Sequence, residues 1–232
     1  MSKPDVMQGK MNKIHNCDCL EFMKQVPDNY FDLVLTDIPY EECDIKNNGI
    51  WDKNTNIKDM CKADKNTFDL NVFLKEIDRV CRGSFYIFCG TEQVSQIKNH
   101  FNEKNTTRLI IWEKTNPMPI NGQYVFLSGI ETCVWARKSG ATFNASCRNT
   151  VFRYPLGQDT TNHPTTKPLK LFEEFIKIST NENDIVFDPC GGSGTTAIAS
   201  KSLKRNFISC EIDEEYCNIA NKRLEAVQGS LF

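Results

Sequence analysis

No stretch of this 232-residue sequence stays apolar for the roughly 18 residues that a membrane-spanning helix needs. The first ten residues are polar and lack the apolar core of a secretion signal. Both absences point to a cytoplasmic protein with no membrane partner. Histidine is scarce, with three in all, and the eleven cysteines form no Cys-x-x-Cys pair. Cys17-x-Cys19 with scattered histidines is not a zinc pattern, so no metal is expected. An odd number of irregularly spaced cysteines reads as reduced thiols, most of them small core residues. An excess of one charge is also missing. The net charge of −2 argues against a general nucleic-acid binder. No internal repeat or low-complexity tract is visible.

What is present is an ordinary globular composition, 40% hydrophobic and 25% charged. Strand-like apolar runs recur at Asn12–Asn16, Phe31–Thr36, Ser84–Cys89, Arg108–Glu113, Glu131–Arg137, Asp184–Asp188 and Asn206–Glu211. Several are nearly continuous in Val, Ile, Leu and Phe, as strands buried on both faces require. Helical spacing lies between them, over Phe68–Arg82, Glu92–Phe101, Pro168–Ser179, Thr195–Leu203 and Asp213–Val227. Thr67 is the expected N-cap of the first of these and Gly83 its stop. The alternation predicts one α/β domain with an open, mostly parallel sheet of seven strands and helices on both faces. Two long stretches carry no pattern, 41–66 and 139–166. Loops of that length in a compact domain are usually functional or disordered.

The charge is unevenly spread. Between Arg137 and Lys170 six basic residues face Asp159 alone. Arg137, Lys138, Arg148 and Arg153 are therefore candidate phosphate contacts, with a solvated loop face as the plainer reading.

The densest chemistry lies near the C-terminus. Ile185, Val186 and Phe187 lead into Asp188-Pro189-Cys190-Gly191-Gly192-Ser193-Gly194-Thr195-Thr196, and a helical stretch follows. Strand, glycine turn and helix form the usual nucleotide-cofactor corner of an open α/β sheet. Glu211 ends the next strand, where an acid can accept both hydroxyls of a ribose. Gly192 to Ala197 also fits the dinucleotide pattern G-x-G-x-x-A. A dinucleotide fold, however, starts with this unit and continues through further strands, and here only one clear strand follows. Far upstream, Asp37-Ile38-Pro39-Tyr40 closes the strand Phe31–Thr36 at the edge where such sheets place reacting groups.

These segments resemble the β-class, circularly permuted S-adenosylmethionine-dependent amino-methyltransferases of DNA. Asp188 to Thr196 is similar to the family's Asp-Pro-Phe-x-Gly-Ser-Gly-Thr-Thr, with Cys190 at the Phe position. Asp37 to Tyr40 is similar to Asp-Pro-Pro-Tyr, with Ile38 replacing the first Pro. His163-Pro164-Thr165-Thr166-Lys167-Pro168 is similar to His-Pro-Thr-x-Lys-Pro. Asn16-Cys17-Asp18-Cys19-Leu20 and Trp112-Glu113-Lys114-Thr115-Asn116-Pro117 match further segments, so the resemblance covers nearly the whole chain. It is nearest to the small adenine-N6 enzymes of type IIS restriction–modification systems.

The resemblance implies a Rossmann-like methyltransferase sheet in three parts. A catalytic half spans 11–138, a short target-recognition insert 139–162, and a cofactor half 163–232. It implies S-adenosylmethionine as cofactor, held by Asp18, Asp37, Lys167, Asp188, Cys190, Gly191, Gly192, Ser193, Gly194, Thr195, Thr196 and Glu211. Asp18 would meet the adenine, Glu211 the ribose and Lys167 the carboxylate. For catalysis it implies Asp37 and the Ile38 carbonyl as acceptors of the target amine's hydrogens, with Pro39 in the turn and Tyr40 as the ring on which a flipped base stacks. The Pro189-Cys190 pair mimics the nucleophile of cytosine-C5 enzymes, but inside the glycine turn its thiol would only line the cofactor pocket.

The expected activity is methylation of adenine N6 in double-stranded DNA. Cytosine-N4 methylation by the same mechanism is the alternative, and a catalytically weak DNA-binding paralogue is a second. RNA and protein-amide methyltransferases usually carry Asn at the position of Asp37. A homodimer and a cognate restriction endonuclease are compatible with the resemblance.

Overall fold

A computed structural model describes residues 5–40, 68–117, 126–157 and 167–229. The insert expected over 41–66 and the His163 to Thr166 part of its motif lie outside the described residues. Among the described residues eight strands form one sheet. They are β1 (Lys13–Asn16), β2 (Phe31–Asp37), β3 (Cys81–Cys89), β4 (Thr106–Lys114), β5 (Ile130–Arg137), β6 (Val151–Tyr154), β7 (Ile185–Asp188) and β8 (Asn206–Glu211). The order across the sheet is β1-β8-β7-β2-β3-β5-β4-β6. Only β5 runs against its neighbours, pairing antiparallel with both β3 and β4.

The helices are α1 (Cys19–Met23), α2 (Leu70–Val80), α3 (Val94–Asn102), α4 (Leu169–Ser179), α5 (Thr195–Ser202) and α6 (Glu214–Gly229). Each face of the sheet has its own core. Phe22 and Met23 of α1, Phe73 and Ile77 of α2, and Ile97 and Phe101 of α3 pack with Val34, Phe85, Ile87 and Phe187 on one face. Phe172 and Phe175 of α4, Ala197 and Ile198 of α5, and Ala220 of α6 pack with Leu33, Leu35, Tyr86 and Phe88 on the other. Adjacent residues of β2 and β3 thus serve opposite faces, which is why their sequences are continuous apolar runs.

Three expectations need correction. The sheet has eight strands rather than seven, because β6 pairs parallel with β4 inside the stretch expected to be a loop. Four residues, with only Phe152 buried, carry too little pattern to stand out. The cap of α2 is Asp69, whose side chain accepts from Asn71 and Val72 N–H, and not Thr67. Gly83 does not stop that helix either. It lies within β3, beside a register shift between β2 and β3. A Cβ there would sit 1.6 Å from the Asp32 carbonyl oxygen. Backbone on both sides leaves nothing to yield. Gly83→Ala is expected to cost about 2–3 kcal/mol and lower the Tm by roughly 5–10 °C. A thermal melt matching the parent protein would contradict this packing.

The connections reverse between β2 and β7. From β7 the chain proceeds to β8, while from β2 it proceeds to β3 on the other side. Open α/β sheets bind ligands at such a switch point, outside the carboxyl ends of the strands. Leu33 pairs with Val186 and Val34 with Phe187. The register therefore carries Asp37 and Asp188 to the same edge.

Candidate active site

Five titratable side chains meet at the ends of β2, β4 and β5. Asp37 ends β2 with its side chain 29% exposed. Its Oδ1 accepts a hydrogen bond from the Tyr40 hydroxyl at 2.9 Å, and its Oδ2 accepts one from Lys167 Nζ at 2.5 Å. Lys167 is itself buried, and also reaches Glu131 Oε2 at 3.0 Å. Glu131 Oε1 lies 3.0 Å from Lys114 Nζ. Burial pushes the Asp37 carboxyl up and Lys167 pulls it down, with a net upward result. Burial also opposes the charge on Glu131, but Lys167 and Lys114 outweigh it and hold that carboxyl below its usual range. Burial works against the Lys167 ammonium too, and its two carboxylates overcome it. Tyr40 is pushed well above its usual range, first by burial and then by Asp37, so it stays a neutral donor.

The corner after Asp37 is fixed from behind. Ile38 N–H donates to the Phe88 carbonyl at 3.1 Å, and the Ile38 side chain is buried in the core. Buried Gln93 donates to the Pro39 carbonyl at 2.9 Å and accepts from Gly90 N–H at 3.0 Å. The lost Pro at position 38 is thus replaced by tertiary hydrogen bonds and an apolar anchor.

The glycine turn lies beside this corner. Gly191 N–H donates to the Cys210 carbonyl at 2.7 Å, and Gly194 N–H to the Gly191 carbonyl at 2.8 Å. Gly194 caps α5 with φ of 80°, a conformation that L side chains rarely adopt. A Cβ there would also meet Ala220 at 3.0 Å. Glu211 closes the turn from β8. Its Oε2 accepts from Gly192 N–H at 2.7 Å and its Oε1 from Asp213 N–H at 2.9 Å. Each carboxylate oxygen keeps further acceptor capacity. Asp188 is buried and accepts from Cys190 N–H at 3.2 Å. Burial pushes its carboxyl up to about 7, against a hydrogen bond from Thr196. Thr195 and Thr196 are buried in the first turn of α5, and Ser193 is buried beside them.

A model of the DNA methylase family matches residues 31–222. The chain belongs to that family, the N6/N4 DNA methylases. The type II methyltransferase M2.DpnII of Streptococcus pneumoniae is 28% identical over 97% of this chain and 94% of its own. The solved structure of the M1.HpyAVI–SAM complex is 31% identical, with a TM-score of 0.69, over 91% of this chain and 98% of that one. The cytosine-N4-specific PvuII DNA methyltransferase shares the fold at a TM-score of 0.68 and 18% identity, over 94% of this chain and 92% of its own.

Of the expected site residues of this family member, the structure brings Asp37, Ile38, Pro39, Tyr40 and Lys167 to one corner. It brings Asp188 to Thr196 and Glu211 to the adjoining turn. Asp18 follows β1, whose last residue Asn16 pairs with Glu211. Its side chain caps α1, accepting from Glu21 N–H at 3.0 Å, and that short helix was not foreseen. The Cys190 thiol is pushed well up, first by a hydrogen bond with Cys19 and then by burial, so it is no thiolate nucleophile. Lys167, which the resemblance points at the cofactor carboxylate, has its ammonium on Asp37 and Glu131.

The basic candidates disperse. Arg137 pairs with Ser84 at the start of β3, six residues or roughly 20 Å along β5 from Glu131. Its guanidinium is held by the Ala141 carbonyl. Lys138 binds Asp78 and the Cys81 carbonyl at that same far edge. Arg148 pairs with Glu174 of α4. Counting charges missed these internal partners. Arg153 on β6 also has an internal partner, Glu113 Oε2 at 3.0 Å, but remains 71% exposed, toward the edge that carries Lys114. Glu131 and Lys114 were missed altogether. They stand at facing ends of β5 and β4, where Glu131 pairs with Trp112, so only the strand pairing reveals them.

Proposed function

We propose that this chain transfers a methyl group from S-adenosylmethionine to the N6 amine of adenine in double-stranded DNA, with the target base turned out of the helix. The observation that carries the reading is the Asp37 carboxylate, held by Tyr40 and Lys167 at the topological switch point beside the glycine turn.

The residues of the turn fit the cofactor by their chemistry. Gly191 lets the turn close on Ser209 and Gly194 lets α5 close on Ala220, and Glu211 sets a carboxylate at the end of β8 for a ribose diol. Asp18 stands next to that end. Asp188, Ser193, Thr195 and Thr196 brace the turn from inside, and Cys190 contributes an uncharged wall. When bound, the cofactor supplies an electrophilic methyl group.

The protein's task is to make a poor nucleophile competent. The adenine amine delocalises its lone pair into the ring. Asp37 accepts one of its hydrogens and the Ile38 carbonyl the other, which draws the nitrogen toward tetrahedral geometry and frees the lone pair. Tyr40 offers its ring to the base. As the new N–C bond formed and the methyl–sulfur bond broke, leaving a neutral thioether, the nitrogen would gain positive charge and release one proton, and Asp37 is the adjacent acceptor. No covalent enzyme intermediate is needed.

Residues 139–162 are our candidate target-recognition segment, and Arg153 is its candidate phosphate contact. Arg153→Ala is expected to flatten the salt dependence of DNA binding by about one unit of slope and to weaken binding at low salt. An unchanged slope would remove Arg153 from the interface. The acceptor class is tested by offering labelled cofactor together with unmethylated duplex DNA, structured RNA or total protein. Label confined to DNA is expected, and label in RNA alone would overturn the reading.

A further inference from the structure

Glu131 is a partly buried carboxylate of the corner that the reading above leaves unused. It sits one residue into β5, 18% exposed, with Oε2 on Lys167 and Oε1 on Lys114, each at 3.0 Å. The Tyr40 hydroxyl lies 3.4 Å from Oε2. Asp37, Lys167, Glu131 and Lys114 therefore form a row of alternating charge across β2, the entry to α4, β5 and β4. A buried ion pair is a weak source of stability, since desolvation offsets its attraction. Four charges in a row at the reacting edge, Lys167 buried and the other three partly buried, call for another explanation.

The row solves a problem set by Lys167. A buried ammonium at 2.5 Å from Asp37 and without a second partner would neutralise that carboxylate almost completely. Asp37 would stay ionised, but its lone pairs would face the ammonium and accept poorly from an amine. A second carboxylate on the far side draws the ammonium back. We propose that Glu131, anchored by Lys114, is a positioning residue that shares the Lys167 charge and so leaves Asp37 free to accept the target amine's hydrogen. The proposal rests on the methyl-transfer reading above.

The surroundings agree in sign. Among the charges acting on Asp37, Lys167 lowers its carboxyl and Glu131 raises it. The other titratable groups facing Asp37 are Tyr40, Cys89 and Cys133, all pushed up and uncharged at assay pH, and Asp188. Asp188 is pushed up to about 7, chiefly by burial, and also feels the charge of Asp37. Glu131 itself faces Lys167, Lys114, Asp37 and Tyr40.

The test is the pH profile of single-turnover methyl transfer to unmethylated plasmid DNA, at saturating S-adenosylmethionine, for the parent protein, Glu131→Gln and Lys114→Met. Glu131→Gln removes a negative charge near Asp37. The acid limb is expected to move down by about 0.5–1 pH unit. The plateau rate should fall roughly tenfold, with the KM for S-adenosylmethionine within about twofold. Lys114→Met removes a positive charge and is expected to move the acid limb upward by a smaller amount. Opposite shifts support the proposal. Limbs that stay put, or move the same way, overturn it and leave Glu131 a packing residue. Should Glu131→Gln fail to fold, the upward shift in Lys114→Met decides alone. A parent protein that transfers to no nucleic acid would sink the functional reading and this inference together. Transfer by the parent with unmoved limbs in the variants would sink only the inference.

Discussion

Asp37→Ala is expected to reduce methyl transfer by roughly 10²–10⁴-fold while leaving the fold intact. The loss should be large because the carboxylate acts where charge develops. It accepts an amine hydrogen that becomes more acidic as the nitrogen bonds to carbon, so its contribution is greatest in the transition state. The fold should survive because Lys167 retains a second carboxylate partner, Glu131, at 3.0 Å. The Asp37 position is also 29% open to solvent. Single-turnover rates, with calorimetric titration of S-adenosylmethionine as control, check this. Turnover near the parent rate would reduce Asp37 to the end cap of a strand. Asp37→Asn should behave much like Asp37→Ala. Its amide keeps the shape but carries no charge to draw the amine hydrogen.

Lys167→Met should act mainly on stability. Removing one member of a buried ionic cluster leaves the others uncompensated, at a cost of about 3 kcal/mol near pH 7. That corresponds to a Tm roughly 6–12 °C lower for a chain of this size. The pH dependence has a definite sign. In the parent, the Lys167 ammonium is held above its usual range, so its contribution is complete at neutral pH and fades only in strong alkali. The Glu131 carboxyl is held below its usual range, so its contribution is present above that range and fades as pH falls. Without Lys167 that downward pull is gone, and protonating Asp37 and Glu131 relieves the repulsion between them. The deficit should therefore shrink between about pH 7 and pH 5. Equal deficits at both values would show that the cluster does not behave as a coupled row.

Much of the architecture is readable from residues because burial on both faces writes itself into composition. Phe31–Asp37 and Cys81–Cys89 are almost entirely buried, and their apolar runs could be little else. The glycine turn and Glu211 were equally legible, since close backbone approach and a terminal acid each restrict the residue types. What stayed hidden depends on partners distant in sequence. Among the described residues, strand β6 has only one strand neighbour and one buried side chain. Gly83 looks like a helix stop until the Asp32 carbonyl is seen against it. Glu131 is one acid at the head of an apolar strand, and its importance follows from two lysines 17 and 36 residues away in the chain. The partners of the basic segment were hidden for the same reason. Lys138 carries a charge that any count includes, yet Asp78 and the Cys81 carbonyl already hold it.

This corner is proposed to methylate the N6 amine of adenine in DNA. The direct measurement is transfer of labelled methyl from S-adenosylmethionine to unmethylated plasmid DNA, followed by digestion and mass spectrometry of the nucleosides. Label in N6-methyladenine is the expected result, and it should vanish with Asp37→Ala. Label in N4-methylcytosine would contradict the assignment of the base while keeping the amine chemistry. No label in any nucleoside, from protein that still binds the cofactor, would contradict the account as a whole.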